Sequence, residues 1–334
     1  MRWSTCRQPR VSLVLPVILL VVLVGDPSVA AVTAPPDLDE PEAPKPEVAR
    51  GLVGPVEQVE VRETVYDGTE SSENRETTRR DVLRFESGRL VEQLRFEPAD
   101  QLRWRSFREY DDRGKLVDWR TLDETDEVDW RYEYAYDDEG RIVREESYGR
   151  DDQLERVLLH EYQNDELSED VMYGPENRIL WRKAYDRDEE DRTRSFSMYY
   201  SDGTRIKQIR QSYDDRERVV EEVHTDQLGA TYERVEYTYG HFSHPLRIET
   251  FNAADELKRR TDFELDTRGN VLRKRVSHSG DEEETTEVTS YDYEYDDFGN
   301  WTQKRVRVEV ETNKRREVLQ VKEVLRDIEY GEET

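Results

Sequence analysis

Cysteine is all but missing from this 334-residue chain: the single one, Cys6, stands ahead of an apolar run near the amino terminus. Everything beyond it therefore lacks disulfides, thiol catalysis and cysteine-based zinc sites. Aliphatic bulk is also scarce, since 34% of residues are hydrophobic against 39% charged and the mean hydropathy is −1.03. That does not suit the thick core of an α/β enzyme. Positive charge is in deficit as well, with 51 Lys and Arg facing 79 Asp and Glu for a net charge of −28. So acidic a chain repels phosphate backbones, and nucleic acid is not an expected partner. What the sequence does have is rings: 19 Tyr, 8 Phe and 6 Trp. A solvated coil does not carry that many, so the chain is expected to fold by burying aromatics.

Long hydrophobic runs are limited to one. Arg2, Arg7 and Arg10 precede the apolar stretch from Val11 to Gly25, and Ser28-Val29-Ala30 offers a small-x-small cleavage site. Residues 1–30 thus read as a signal peptide, which predicts a secreted or periplasmic protein with no membrane span after cleavage. The run is short for a spanning helix and contains Pro16. Residues 31–55 hold half of the twelve prolines among Asp, Glu and Ala, the composition of a disordered tether. Beyond it only Pro98, Pro175 and Pro245 occur. Residues 56–334 are thus free of strand breakers except at expected turns, and form one repeat-built domain.

Within that domain one pattern recurs: an aromatic, one or two acidic residues, a Gly or Asn four positions on and an apolar residue six positions on. Tyr110-Asp111-Asp112 leads to Gly114 and Leu116, Tyr136-Asp137-Asp138 to Gly140 and Ile142, and Tyr295-Asp296-Asp297 to Gly299 and Trp301. Diluted copies run from Tyr148 to Asp152 and Leu154, Tyr173 to Asn177 and Ile179, Tyr213 to Glu217 and Val219, and Phe251 to Asp255 and Leu257. The spacing is that of a hairpin: Asp bonds forward to backbone N–H groups, and Gly takes the positive φ that closes a type I turn with a bulge. Between turns the chain alternates, as in Tyr132, Tyr134 and Tyr136 or Val306, Val308 and Val310. That is the two-residue period of a strand with one covered and one wet face. The reading is all-β: a long antiparallel up-and-down meander of about 18–20 strands. A flat sheet of that size would be about 90 Å wide, so strong twisting or curling is expected. The segment Arg315–Ile328 also fits a helical stripe, and only Arg326–Tyr330 is expected as a final strand.

The units YDDRGKL (Tyr110 to Leu116), YDDEGRI (Tyr136 to Ile142) and YDDFGNW (Tyr295 to Trp301) resemble the YD repeats of the bacterial Rhs family. The resemblance spans about Phe85 to Trp301 in diluted form. It implies an all-β, exported, repeat-built protein, here a short repeat-only member with no recognisable toxin domain. The nine residues Tyr110, Gly114, Leu116, Tyr136, Gly140, Ile142, Tyr295, Gly299 and Trp301 are structural, repeat-defining positions.

Candidate chemistry is sparse. Asp111-Asp112, Asp137-Asp138 and Asp296-Asp297 could ligate Ca²⁺, but none matches an EF-hand loop and each is explained by its turn. The sequence points to no other cofactor. His241 and His244 have metal-like spacing without a third ligand, and His160, His224 and His278 are isolated. Trp104, Trp119, Trp130, Trp181 and Trp301 could stack on glycans or peptides, although core-facing rings are the plainer reading. No nucleophile elbow, Walker or dinucleotide motif is present. The expected function is a non-catalytic β-repeat module at the bacterial cell envelope, binding or structural, with an envelope protein or glycan as partner. The alternative is an enzyme with a carbohydrate- or peptide-acting cleft, or an accessory of a toxin system. An outer-membrane barrel is disfavoured because polar residues such as Arg144 and Glu146 interrupt any apolar band.

Overall fold

The computed structural model describes residues 52–67, 76–98, 100–188, 190, 192–279, 285–312 and 315–331. The signal peptide expected at 1–30 and most of the tether expected at 31–55 lie outside the described residues. Twenty strands follow one another in chain order. They are Val56–Asp67 (β1), Glu76–Glu86 (β2), Arg89–Phe96 (β3), Leu102–Tyr110 (β4), Leu116–Asp123 (β5), Val128–Tyr136 (β6) and Ile142–Tyr148 (β7). Next come Leu154–Gln163 (β8), Glu166–Tyr173 (β9), Ile179–Asp188 (β10), Thr193–Tyr200 (β11), Arg205–Tyr213 (β12), Val219–Thr225 (β13) and Thr231–Tyr239 (β14). The last are Pro245–Asn252 (β15), Leu257–Leu265 (β16), Val271–His278 (β17), Thr286–Tyr295 (β18), Trp301–Glu311 (β19) and Arg316–Tyr330 (β20).

Each strand pairs antiparallel with the next, and β1 pairs antiparallel with β20 from Val56 opposite Tyr330 to Asp67 opposite Gln320. The meander is therefore a closed 20-stranded barrel, which corrects the expectation of a sheet that only twists or curls. Closure is favoured because an open sheet leaves two rows of unpaired backbone groups, and here each row finds its partner in the other. The final segment also differs from expectation. It is strand over its whole length as β20, because its alternate residues face β1 and β19 and their pairing overrides the helical stripe.

The Tyr-Asp turns gather at one end of the barrel, here the upper rim. Asp111 N–H donates to the Lys115 carbonyl (2.9 Å), Gly114 N–H to the Asp111 carbonyl (2.9 Å), and Asp111 Oδ1 accepts the N–H groups of Arg113 and Lys115 (3.0 and 2.7 Å). Gly114, Gly140 and Gly299 have φ of 78°, 80° and 87°. In the diluted copies Glu217, at the same rim, and Asp152, Asn177 and Asp255, at the lower rim, take the same left-handed conformation at φ of 55–60°. Tyr110, Tyr136 and Tyr295 then pair across the turn bulge with Leu116, Ile142 and Trp301.

Followed through paired residues, one face of the sheet runs through Val59, Leu83, Gln93, Ser106, Thr121 and Trp130, and farther round through Phe196 and Ile209. The register slides toward the lower rim by about 22 residues per circuit, a strand tilt of about 40°. Given L-chirality and the right-handed coil of strands, that face points inward. It also holds the more deeply buried side chains, including Val59, Leu83, Trp119, Met172, Phe196 and Ile209. At about 4.8 Å between strands, a round ring of this tilt is about 40 Å across, in the range of barrels that enclose water. The outward face carries a ladder of ion pairs such as Arg131–Asp118 (2.5 Å), Arg247–Asp262 (2.6 Å) and Arg260–Glu249 (2.6 Å).

The ring closes at the upper rim through Asn300. Val53 N–H donates to Asn300 Oδ1 (2.7 Å), while Asn300 Nδ2 donates to the Val53 carbonyl and to Tyr330 Oη (2.7 Å each). Tyr330 in turn donates to Asp296 and stacks on Phe298 at 4.3 Å. Asn300 is 2% exposed, so these bonds are shielded from water.

Two outcomes are expected. Gly140→Val should lower the melting temperature, since a β-branched side chain at φ 80° adds strain of about 1–2 kcal/mol and its Cβ would stand 3.2 Å from Lys115. Unchanged melting would contradict the turn. Asn300→Ala should cost about 2–3 kcal/mol in denaturant unfolding. Its amide exchange should rise first in β1 and β20, and a uniform rise around the ring would count against a localised seam.

Candidate binding wall

Three upper-rim turns are tied to the preceding hairpin by their tyrosines. Tyr110, Tyr136 and Tyr162 donate to the carbonyls of Leu90, Leu116 and Ile142, twenty residues earlier, at 2.8, 2.7 and 2.9 Å. The cation that follows each turn then stacks on the tyrosine of the next: Lys115 on Tyr136 (5.7 Å), Arg141 on Tyr162 (4.6 Å) and Arg218 on Tyr239 (4.5 Å). Farther round, Arg268 covers Tyr295 at 4.0 Å, and Tyr295 Oη donates to Asp266 (3.0 Å). Burial and the Asp266 carboxylate push the Tyr295 phenol up to about 12. Of the sequence-derived positions, Tyr110, Gly114, Leu116, Tyr136, Gly140, Ile142, Tyr295, Gly299 and Trp301 all lie at this rim, spread over three separate hairpins. They form a belt along the rim rather than one gathered site. Tyr162 joins the belt unannounced, because its turn closes on Asn164 and Asp165, both at positive φ, without a glycine.

Below the rim the inner wall holds two carboxylate–histidine–tyrosine groups. In the first, His160 on β8 bonds Asp170 on β9 through Nδ1 (2.7 Å) and Glu145 on β7 through Nε2 (3.0 Å), and Tyr185 on β10 donates to Asp170 (2.5 Å). Burial opposes the imidazolium, but the bonds to the two carboxylates outweigh it and raise the His160 pKa to about 9. In the second, Glu222 on β13 accepts from Gln211 (2.7 Å) and Tyr237 (3.2 Å) and lies 3.4 Å from His224. Burial would raise the Glu222 pKa, yet these partners hold it below the ordinary carboxylate value. No sequence spacing announces either group, since each draws on several strands.

The tryptophans are wall residues. Trp119 Nε1 donates to Ser106 Oγ (2.6 Å) and meets Trp130 edge-on at 4.9 Å. Arg108 covers Trp119 at 4.6 Å and is 7% exposed, with its pKa lowered to about 10 by burial. Trp104 lies under Arg95 (4.8 Å), Trp301 under Arg326 (3.4 Å), and Trp181 is buried. His244 bonds the Pro245 carbonyl (2.7 Å) and packs on Phe263, while His241 packs on Phe242, so the pair does not converge. Among the described residues no three His, Cys, Asp or Glu side chains are gathered for a metal ion.

No family model matches the sequence, and no curated protein is similar to it. Among solved structures the chain is similar to a porin-like protein from Bacteroides uniformis, with a TM-score of 0.37 and 12% identity over 83% of this chain and 98% of that one. A likeness that slight carries nothing about ligand or location.

His160 predicts a pH dependence. Its folded pKa of about 9 lies above the free value of 6.5, so its contribution is complete below pH 6.5 and fades as pH rises through 9. The melting temperature of His160→Gln should therefore fall furthest below that of the parent near pH 6, with the gap narrowing by pH 10. A gap that widened with pH would contradict the charged assignment.

Proposed function

We propose that this chain is exported and serves at the bacterial cell envelope as a non-catalytic β-repeat barrel, a binding or structural module whose inner wall meets an envelope protein or glycan. The observation that carries the reading is closure: once β1 has paired with β20, no sheet edge is left to recruit a partner strand, and the walls are the extended surfaces available. Both walls carry charge at mid-strand, outward at Arg131, Arg182 and Arg234 and inward at Arg108, Glu145 and Lys207. A lipid-facing barrel needs an apolar outer band, and each outward arginine at the bilayer midplane costs about 2–4 kcal/mol. This supports a barrel standing in water. Both ring nitrogens of His160 are engaged by carboxylates, which leaves neither free to act on a substrate and favours recognition over turnover.

Fractionation of cells expressing the full chain tests the reading. The expected result is a protein shortened at its amino terminus and recovered from the periplasm or medium without detergent. Full-length protein in the cytosol, or recovery only with detergent-solubilised membrane, would overturn it. Capture from envelope extracts with and without EDTA then tells whether calcium bridges the partner.

A further inference from the structure

Although the chain carries a net −28, one arc of its inner wall has the opposite sign. On β16–β20 the registers place Arg259, Lys274, Lys304, Lys322 and Arg326 inward. Among the described residues of that arc, the inward acids are Glu287 and, at the lower rim, Glu317. Lys322 is met by Glu63 of β1 at 2.7 Å, which leaves the cationic excess toward β16–β19. Burial holds the Lys274 ammonium below the usual lysine value, against the pull of Glu287 and with the push of Arg259.

The same arc offers ring faces and hydroxyls. Tyr291 and Tyr293 lie nearly parallel (15°) with centroids 6.5 Å apart, and Lys304 Nζ stands 5.2 and 5.8 Å from them. Thr289 is the cross-strand partner of Lys274. Cations, ring faces and hydroxyls in one patch match a ligand that combines carboxylates, C–H faces and hydroxyls. An acidic peptide would engage the cations but brings no sugar ring to lie on the tyrosine faces. Deepening the binding reading above, on which it rests, we infer that the β16–β19 arc of the inner wall binds an acidic polysaccharide, a polymer of uronate-bearing sugars. The net negative charge of the chain does not bar entry, because salt at physiological strength confines its repulsion to about 8 Å.

The test is fluorescence and calorimetric titration of the purified exported chain with polygalacturonate, beside neutral dextran and poly-glutamate. Polygalacturonate should perturb the Tyr and Trp emission and bind at least about tenfold more tightly than either control, with affinity falling as salt rises. Lys274→Gln/Lys304→Gln should weaken binding by about tenfold, while Lys258→Gln on the outward face leaves it unchanged. If the double variant does not fold, Lys304→Gln alone should weaken binding by about threefold. Absence of binding, equal binding of dextran, equal binding of poly-glutamate, or insensitivity to the wall substitutions would each overturn the inference. These readouts use purified protein, so they fail or succeed independently of where the cell places the chain.

Discussion

A row of unpaired backbone N–H and C=O groups is a standing cost, and the pairing of β1 with β20 is what removes it. With that pairing in place, every strand has two neighbours, and the register around the ring must return to itself with one fixed slide. Tilt, diameter and the assignment of faces all follow from that condition. The polar seam at Asn300 secures it with bonds that reach both the start of β1 and the end of β20.

The stabilising contacts divide by wall. Outward pairs such as Arg120–Glu109 are water-exposed, so each contributes at most about 1 kcal/mol and their main effect is to keep the register in step and the surface soluble. Inward, the partners are shielded. Asp81, fully buried, lies between Arg79 (3.0 Å) and Arg95 (2.8 Å), and loss of one member of such a group leaves a charge without its counterpart. Burial also reaches the outer wall at Glu309, which Arg307 and Arg316 cover; their bonds keep its pKa low against the burial that would raise it.

Local chemistry was legible in the sequence wherever it repeats. Gly114, Gly140 and Gly299 mark turns because only a residue tolerant of positive φ closes them, and Asp152, Asn177, Glu217 and Asp255 show the same metre persisting without glycine. Closure was not legible, since Val59 and Ile328 meet across almost the whole domain and nothing in either segment names the other. The strand character of the part of β20 before Arg326 was hidden for the same reason: a tertiary partner decided between two periods that both fitted. The cation–tyrosine stacks escaped because donor and acceptor sit in successive hairpins, and His160, Asp170 and Glu145 each look ordinary until three strands bring them together.

The Gly331 N–H donates to the Pro55 carbonyl at 2.8 Å, so the first and last described strands begin and finish side by side. In a ring built this way the covalent starting point is arbitrary. The chain could be opened at any exposed lower-rim turn and rejoined across Pro55 and Gly331 without altering which strands touch, since circular permutation succeeds where exposed turns are cut and neighbouring ends are joined. The same geometry makes the hairpin a modular unit of growth: gain or loss of one would change the circumference by two strands and leave the closing seam as it is.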